Sequence, residues 1–389
     1  MNEELENHSE ENESEEQVKS FYGEGDVDIS IPDMLMPAPI EKEKKNEIKD
    51  TCDGAFKFAF VGAGQGGSRL AESFHKLGYR RLAAINTAQQ DLNTVQLNNK
   101  LCIGEGGAGK NLAVAAKYFE ESREDVIDFL RYSFGDSFDK IFVCAGAGGG
   151  SGAGTVVPLV NASLELSKTI ESSSKKIGVI LALPKKSEGT KVASNAYKTL
   201  TKVWELVEQG KVSPLIILDN EKIGKLYPNL VVSNFWRHAN SSLAGLFHLF
   251  NLTAAKDSTF TSFDKNDYGT ILESGLMVFG ASPVDKWDDP VSVSRAVREN
   301  IKNNVLSGGI DLSTGKCAGA IIIGGKEQLD SIPQTTLDQA FEQLVRMLKS
   351  GGVVHRGIYI GDKPNLTVFT AIGGLGLPKE KLGELQSWS

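Results

Sequence analysis

From Phe56 onward, short apolar runs alternate along the chain with longer segments whose apolar residues recur at helical spacing. Runs of this length fit buried strands, and the segments between them fit helices that cover those strands. Such alternation predicts a mostly parallel sheet with helices on both faces. In the first half we expect strands at Lys57–Val61, Arg81–Ile85, Leu101–Ile103, Ile141–Val143, Ile177–Leu183 and Leu215–Leu218, with helices reaching Leu77 and spanning Leu112–Phe119.

A long helical segment, about 233–250, precedes a change of rhythm beyond Tyr268. The second half predicts a smaller α/β unit, with strands Leu276–Phe279, Ala318–Ile323, Gly357–Ile360 and Leu366–Ile372 and helices Val291–Leu306 and Thr336–Leu348. The predicted fold class is therefore α/β: a Rossmann-like parallel-sheet domain, a central helix and a second α/β domain. The expected N-terminal tail is 1–53, and the Rossmann-like domain is 54–232. The central helix with the loop after it spans 233–267, the second α/β domain spans 268–377, and a short tail spans 378–389.

The acidity of the chain is concentrated in its first 53 residues. They hold 17 acidic residues against 5 lysines, whereas the remainder holds 33 acids against 37 bases, although the whole chain has a formal charge of −8. Such a polar, acidic segment is expected to be disordered. Its apolar island Ile29–Met36 is either a short adaptor-binding motif or a chance cluster. The mildly basic body suits a phosphate ligand, and without a block of Lys or Arg it predicts no direct nucleic-acid binding.

The chain lacks an apolar run of membrane-spanning length and a basic N-terminal region of the signal-peptide type, so we expect a cytoplasmic protein without membrane insertion. Its four cysteines have no paired metal-binding spacing and are expected to be reduced thiols.

The glycine-rich segment after Ile141–Val143 reads Cys-Ala-Gly-Ala-Gly-Gly-Gly-Ser-Gly-Ala-Gly-Thr from Cys144 to Thr155. Glycine lets a ligand approach the backbone closely, and amides at the start of a following helix attract anions. A flexible linker would have polar flanks, whereas this segment lies between a buried-strand run and a helix start. The order of strand, glycine loop and helix therefore predicts a phosphate-binding turn.

Two further glycine loops, at 62–67 and 104–109, also follow predicted strands. The first formally matches the GxGxxG pattern of dinucleotide-binding dehydrogenases. Those proteins place an acidic residue at the end of the second strand for the ribose, where this chain has Asn86. The pattern of glycines followed by Gly-Lys-Ser/Thr is absent, because Asn111 follows Gly109 and Lys110. An NAD-linked enzyme is therefore disfavoured as an alternative.

Between Phe56 and Leu377 the order of motifs resembles the tubulin/FtsZ superfamily of polymer-forming GTPases. Gly148-Gly-Gly-Ser-Gly-Ala-Gly154 resembles the family signature, Gly64-Gln-Gly-Gly-Ser68 its first loop, and Gly107-Ala-Gly-Lys-Asn111 its γ-phosphate loop. Asn86-Thr87, the ribose loop Ser187-Glu-Gly189 and Leu218-Asp-Asn220 follow in the family order.

The resemblance implies a nucleotide-binding GTPase domain that takes GTP or GDP with Mg²⁺, with Gln65 near the metal through water. The implied nucleotide-binding residues are Gly64, Gln65, Gly66, Gly67, Ser68, Asn86, Gly107, Ala108, Gly109, Lys110, Gly148, Gly149, Gly150, Ser151, Gly152, Glu188, Asn220, Trp236 and Asn240. Either Trp236 or Phe235 is expected to stack on the base, and Asn220 and Asn240 to read the guanine edge.

Catalysis in this family is shared between subunits, because the loop after the central helix presents acids to the nucleotide of the next subunit. Ser262-Phe-Asp-Lys-Asn-Asp267 resembles that loop and places Asp264 and Asp267 at the two catalytic positions. A carboxylate there can orient the attacking water. The resemblance therefore implies a self-assembling, head-to-tail filament.

The chain departs from the family pattern at Ala88, Ser151, Ala153, Val192 and Ser262. These changes leave open a non-hydrolysing relative that regulates filaments, although both acids are kept. Asn86–Leu92 resembles the plasmid-segregating TubZ branch, whereas Gly309–Gly315 resembles FtsZ. A filament that positions plasmid or phage DNA is the main expectation, and an FtsZ-like division protein is the alternative.

Overall fold

The computed structural model describes residues 48–284, 286–348 and 351–389. Most of the predicted acidic tail, including Ile29–Met36, lies outside these residues. The described strands are β1 (Phe58–Ala63), β2 (Arg81–Asn86), β3 (Lys100–Cys102), β4 (Lys140–Gly146), β5 (Ile177–Leu183), β6 (Val212–Asp219), β7 (Leu276–Val284), β8 (Cys317–Gly324), β9 (Val353–Ile360) and β10 (Leu366–Leu375).

The described α-helices are α1 (Gly64–Lys76), α2 (Gln89–Asn93), α3 (Leu112–Glu121), α4 (Arg123–Phe134), α5 (Ser151–Thr169), α6 (Thr190–Glu208), α7 (Asn220–Leu226), α8 (Val232–Thr253), α9 (Lys265–Leu272), α10 (Pro290–Glu299), α11 (Lys326–Ser331), α12 (Gln334–Met347) and α13 (Lys379–Trp388). None of the helices in the described residues is long and apolar enough to cross a membrane.

The ten strands form one sheet in the order β3-β2-β1-β4-β5-β6-β7-β10-β8-β9. All neighbouring pairs are parallel except those of β10, which runs antiparallel to β7 and β8. The predicted α/β class with a mainly parallel sheet is confirmed. Because β1 to β6 are parallel, the loops that follow them meet at one edge of the sheet.

The second α/β unit continues the sheet of the first through a narrow junction. Strands β6 and β7 pair over only two positions, Leu215 with Leu276 and Ile216 with Met277. Helix α8 lies across this junction, where the ring of Phe247 is 5.0 Å from that of Phe142 and 6.3 Å from that of Phe279. The central helix therefore packs on both halves of the molecule.

Two apolar layers, one on each face of the sheet, form the core. One layer contains α1, α8 and α9, and the other contains residues of α4, α5, α6, α10 and α12. The strands of the sheet's centre are buried on both faces, which explains why their sequences are continuously apolar rather than alternating.

Three segments differ from the sequence-based expectation. Residues 48–53 pack on the body, where Asp50 forms a buried ion pair with Arg81 at 2.9 Å. The predicted helix 291–306 gives way to a π-helical turn at Asn300–Asn304, where the buried amide of Asn300 donates to the Val368 carbonyl of β10 at 3.1 Å. The predicted C-terminal tail is the helix α13, which buries Leu385.

Candidate nucleotide-binding site

A cavity of about 640 Å³ lies at the carboxyl ends of the parallel strands. Three glycine loops and the start of α8 surround it. Its walls are formed by Ala63, Gly64, Gln65, Gly66, Arg69, Ala88, Gln90, Asp91, Gly106, Gly107, Ala108, Gly109, Lys110, Gly146, Gly148, Gly149, Gly150, Ser151, Gly152, Ala182, Pro184, Glu188, Asn220, Trp236 and Asn240. The structure therefore brings most of the predicted site residues to a single cavity.

The first glycine loop, at residues 62–67, approaches the main glycine loop, at residues 148–154, so closely that no side chain fits between them. Gly64 has a φ of +68°, and a Cβ there would lie 2.6 Å from the backbone nitrogen of Gly152. At Gly149, by contrast, a Cβ would meet no atom within 4 Å. Helices α1 and α5 both begin at this point, so their unpaired amides converge on the cavity. Such an arrangement suits an anion.

The loop at residues 107–111 is pressed against the glycine loop at residues 148–154. A Cβ at Gly150 would lie 2.9 Å from the backbone nitrogen of Lys110, and Lys110 itself adopts a φ of +59°. Positive φ is uncommon for a residue with a side chain and is typical of functional loops. Lys110 lines the cavity, where it adds a positive charge beside the amides.

Asn195 of α6 links these two loops and is a residue that the sequence did not suggest. Its side-chain amide, almost fully buried, donates to the carbonyl of Lys110 at 2.9 Å and to that of Gly148 at 3.2 Å. Its position on a long helix carries no motif, so only the fold reveals this contact.

Asp91 places a carboxylate in the cavity wall. Asn86 Nδ2 donates to its Oδ2 at 3.2 Å, and Gln65 Nε2 donates to its Oδ1 at 3.4 Å. Arg69 also lines the cavity one helical turn after Gln65. The sequence analysis did not single out Asp91 or Arg69. The signal that could have found them is their spacing: Asp91 follows Asn86 closely in the chain, and Arg69 lies one helical turn after Gln65.

Three predicted residues lie behind the cavity wall and support it. A Cβ at Gly67 would lie 2.1 Å from the carbonyl oxygen of Cys144, so this glycine allows α1 to pack on β4. Ser68 donates to the carbonyl of Gly64 at 2.7 Å, and Asn86 holds Asp91. Their contribution in the structure is to the shape of the loops.

The opposite end of the cavity is lined by Trp236, Asn240 and Asn220. Trp236 is 38% exposed, whereas Phe235 is buried beneath the ammonium of Lys185, 3.2 Å from its ring centre. Of the two aromatic residues considered for stacking, Trp236 is therefore the one that faces the cavity. The buried Oδ1 of Asn220 has no hydrogen-bond donor among the described residues.

Asp219 fixes the residue that carries this unpaired oxygen. Its Oδ1 accepts from the backbone nitrogens of Glu221 and Lys222 and so caps α7, which begins at Asn220. Its Oδ2 accepts from Lys381 of the C-terminal helix at 2.7 Å. Both charged side chains are almost fully buried.

Three of the residues that depart from the resembled pattern make packing or hydrogen-bond contacts within the fold. The Ser151 hydroxyl lies 2.6 Å from that of Thr87, which joins the main loop to β2. Val192 packs against Gly148, where a Cβ would lie 2.3 Å from its Cγ1. Ser262 accepts from the backbone nitrogen of Ser258 at 2.9 Å.

The acidic loop lies at the other end of the strands. Lys265 pairs with Asp139 at 3.5 Å, and Asp139 directly precedes β4, whereas the main glycine loop follows β4. Seven residues of strand separate these two ends, about 20 Å at roughly 3.3 Å per residue. Asp264 and Asp267 therefore do not line the cavity of their own chain.

The two acids form a capping box at the start of α9. Asp264 accepts from the backbone nitrogen of Asp267 at 2.9 Å, and Asp267 Oδ2 accepts from that of Asp264 at 3.1 Å. Asp267 Oδ1 lies 2.5 Å from His355 Nδ1. Asp267 remains 24% exposed, so it can be reached from this end of the molecule.

Comparison with known proteins finds a family model that matches the segment carrying most of the cavity's residues, with Trp236 and Asn240 beyond its end. Residues 57–228 match the model of the Tubulin/FtsZ family, GTPase domain. The chain is 24% identical to the tubulin-like protein TubZ of Bacillus cereus over 251 residues, 59% of this chain and 55% of that protein. It is 26% identical to the cell division protein FtsZ of Methanothermobacter thermautotrophicus over 303 residues, 76% of this chain and 72% of that one. The match thus spans little more than half of the TubZ relative.

Solved structures share the fold over most of the chain. A GTPγS-form protofilament of Bacillus thuringiensis serovar israelensis TubZ has a TM-score of 0.76 at 17% identity, covering 86% of this chain and 92% of that one. A GTPγS-bound protofilament of CetZ2 from Haloferax volcanii has a TM-score of 0.70 at 20% identity, covering 85% and 98%.

Proposed function

We propose that this protein binds GTP in the cavity and hydrolyses it when copies stack head to tail. The match of residues 57–228 to the model of the Tubulin/FtsZ family, GTPase domain, supports this proposal. The observation that carries the proposal is the placement of the cavity and the exposed acidic loop at opposite ends of the same parallel strands. The TubZ and CetZ2 structures described above are protofilaments, which supports self-assembly of a chain with this fold.

The base end of the cavity supports guanine as the ligand. Asn220 offers a buried acceptor without a donor, and leaving such an atom unpaired costs about 1–3 kcal/mol. The N1–H and N2–H groups of guanine are donors that would satisfy it. Asn240 adds a second amide, and the exposed Trp236 offers a face on which the base can stack.

The loop end of the cavity supports a triphosphate. The amides at the starts of α1 and α5 and the ammonium of Lys110 supply positive potential along the phosphate path. A carboxylate in such a pocket is unfavourable beside phosphate unless a cation lies between them. Asp91 and the side-chain oxygen of Gln65 therefore suit Mg²⁺, which is often held by one or two carboxylates, waters and substrate phosphates.

No cluster of three metal-ligating side chains occurs within residues 48–284, 286–348 and 351–389. A site with one carboxylate fits this finding, since the remaining ligands would come from the nucleotide and water. Bound Mg²⁺ would neutralise part of the negative charge of the phosphates.

Hydrolysis would be completed by the neighbouring copy. Its acidic loop would meet the open end of the cavity, where the carboxylate of Asp267 accepts a proton from the attacking water. The water oxygen bonds to the γ-phosphorus as the bond to the bridging oxygen breaks, yielding GDP and phosphate. Asp264 orders the start of α9 and so holds Asp267 in place. A free subunit would be a slow GTPase because its own acids and its cavity lie at opposite ends of the strands, whose length is about 20 Å in β4.

The test compares Asp267→Asn with the matched control Asp257→Asn, which removes the same charge from an exposed position in the connection that leads into α9. Phosphate release and sedimentation would be measured with GTP over a range of protein concentrations. We expect turnover to rise with assembly in the wild type and in the control. In Asp267→Asn it should fall by about 10²–10⁴-fold, while GTP binding and polymer persist. Turnover independent of protein concentration, or unaffected by Asp267→Asn, would contradict the proposal.

The cellular role is proposed only by similarity to TubZ, as a filament that positions plasmid or phage DNA. The FtsZ relative offers cell division as the alternative. Imaging of fluorescently tagged protein would separate the two, because a DNA-positioning filament should co-localise with a replicon and a division protein with the constriction site.

A further inference from the structure

The acidic loop and the residues just before it, 258–261, are joined to the edge strand β9 by several hydrogen bonds. The backbone nitrogen of Ile358 donates to the carbonyl of Thr261 at 2.8 Å, and that of Phe263 donates to the hydroxyl of Tyr359 at 2.8 Å. Ser258 also donates to the Ile358 carbonyl. The loop that carries both acids is therefore held by a strand of the second α/β unit, far along the chain.

One contact from β9 reaches a catalytic candidate itself. His355 Nδ1 lies 2.5 Å from Asp267 Oδ1, and the His355 side chain is 16% exposed. An ionised carboxylate can only accept, so Nδ1 carries the proton. The second oxygen of Asp267 accepts from the Asp264 backbone nitrogen at 3.1 Å. Each carboxylate oxygen thus has one fixed donor, and the plane of the carboxylate is set.

Packing alone does not account for a histidine at this place. The other ring nitrogen, Nε2, is buried and has no hydrogen-bond partner in the described part of the chain. A leucine of similar volume would fill the space without an unpaired polar atom. The feature that leucine would lack is the donor aimed at Asp267.

We propose that His355 is a positioning residue for GTP hydrolysis, which holds the Asp267 carboxylate in the orientation that the neighbouring nucleotide requires. The inference rests on the proposed function. It makes turnover depend on strand β9 of the second unit, although the nucleotide cavity lies in the first. His355 acts through Asp267 and does not contact the nucleotide of its own chain.

Two substitutions and one control separate this role from a structural one. His355→Ala removes the donor, whereas His355→Asn keeps an N–H donor, since its Nδ2 occupies the place of the imidazole Nδ1. Arg356→Ala is the control, because Arg356 is the next residue of β9 and pairs instead with Asp338 at 3.2 Å. For each variant, turnover would be measured per assembled subunit, with polymer mass determined by sedimentation and GTP affinity determined separately.

We expect His355→Ala to lower turnover per assembled subunit by roughly 10- to 100-fold, since small misplacements of reacting groups have effects of that size. GTP affinity should stay unchanged, His355→Asn should recover most of the turnover, and Arg356→Ala should match the wild type. If His355→Ala alters GTP affinity or assembly but not turnover per assembled subunit, or if His355→Asn is as slow as His355→Ala, the positioning role is wrong.

The same data separate failure of the inference from failure of the proposed function. If Asp267→Asn abolishes turnover while His355→Ala leaves it intact, His355 is not needed and the proposed function stands. If the wild type shows no assembly-dependent turnover, the proposed function fails and the inference falls with it.

Discussion

The buried ion pair between Lys381 and Asp219 gives the sharpest prediction about stability, because it joins the C-terminal helix to the residue that caps α7. Lys381→Met would remove the cation and keep most of the side-chain volume. The carboxylate of Asp219 would stay buried with the backbone nitrogens of Glu221, Lys222 and Gly308 as its remaining donors.

The expected loss in free energy of unfolding is about 3–5 kcal/mol, the usual cost of leaving one partner of a buried pair uncompensated. This exceeds the value of an exposed ion pair, about 0–1 kcal/mol, because both side chains are at most 3% exposed. Since Asn220 directly follows Asp219, GTP affinity should fall as well.

The pKa of Lys381 indicates the pH range in which the ion pair stabilises the folded protein. Burial alone would lower the pKa, but attraction to Asp219 and hydrogen bonds to Asp219 and Glu384 outweigh it and raise the pKa above 10.5. The stabilisation is therefore fully present below pH 10.5 and is lost as the pH rises through the higher folded-state pKa.

Guanidinium denaturation of the full chain would measure the effect, with Lys379→Met as the control. Lys379 lies on the same helix and is exposed, so its replacement should change stability by less than about 0.5 kcal/mol. The double variant Asp219→Asn/Lys381→Met should regain part of the loss, because no unpaired charge remains buried; Glu384, the other partner of Lys381, is 44% exposed. A loss below about 1 kcal/mol in Lys381→Met, or an equal loss in Lys379→Met, would refute the reasoning.

Three further predictions follow from the cavity and the acidic end. Asn195→Ala should weaken GTP binding about tenfold, since the carbonyls of Lys110, Gly148 and Gly149 lose their shared donor, while Lys198→Ala on the same helix should bind normally; equilibrium binding with a fluorescent GTP analogue would measure both. Trp236→Ala should weaken GTP binding roughly 10- to 100-fold through loss of stacking worth about 1–3 kcal/mol, whereas replacing the exposed Tyr132 should not; calorimetry would show the difference. Glu273 is partly buried, which would raise its pKa, but Lys140 and Ser174 outweigh this and lower the pKa below 4.5. The wild type should therefore unfold at higher denaturant than Glu273→Gln above pH 4.5, and the gap should close as the pH falls through the lowered pKa.

The sequence determined the fold class and the position of the glycine loops, because both depend on local signals. Continuous apolar runs identify strands buried on both faces, and glycines before a helix identify turns where the backbone meets a ligand. The order of those motifs also indicated the resemblance to the tubulin/FtsZ family, whose GTPase-domain model matches residues 57–228. Strand boundaries such as Val212–Asp219 extend beyond the predicted apolar core because pairing with neighbours, rather than composition, decides where a strand ends.

Contacts between distant segments were decided by the tertiary structure alone. Asn195 on the loop carbonyls, Lys381 on Asp219 and His355 on Asp267 join residues 47 to 162 positions apart, and each is an ordinary polar residue in its own segment. The choice between Trp236 and Phe235 also needed the structure, in which Phe235 packs beneath Lys185 and Trp236 lines the cavity. A sequence fixes local propensity and periodicity, whereas the pairing of buried polar groups depends on which segments the folded sheet brings together.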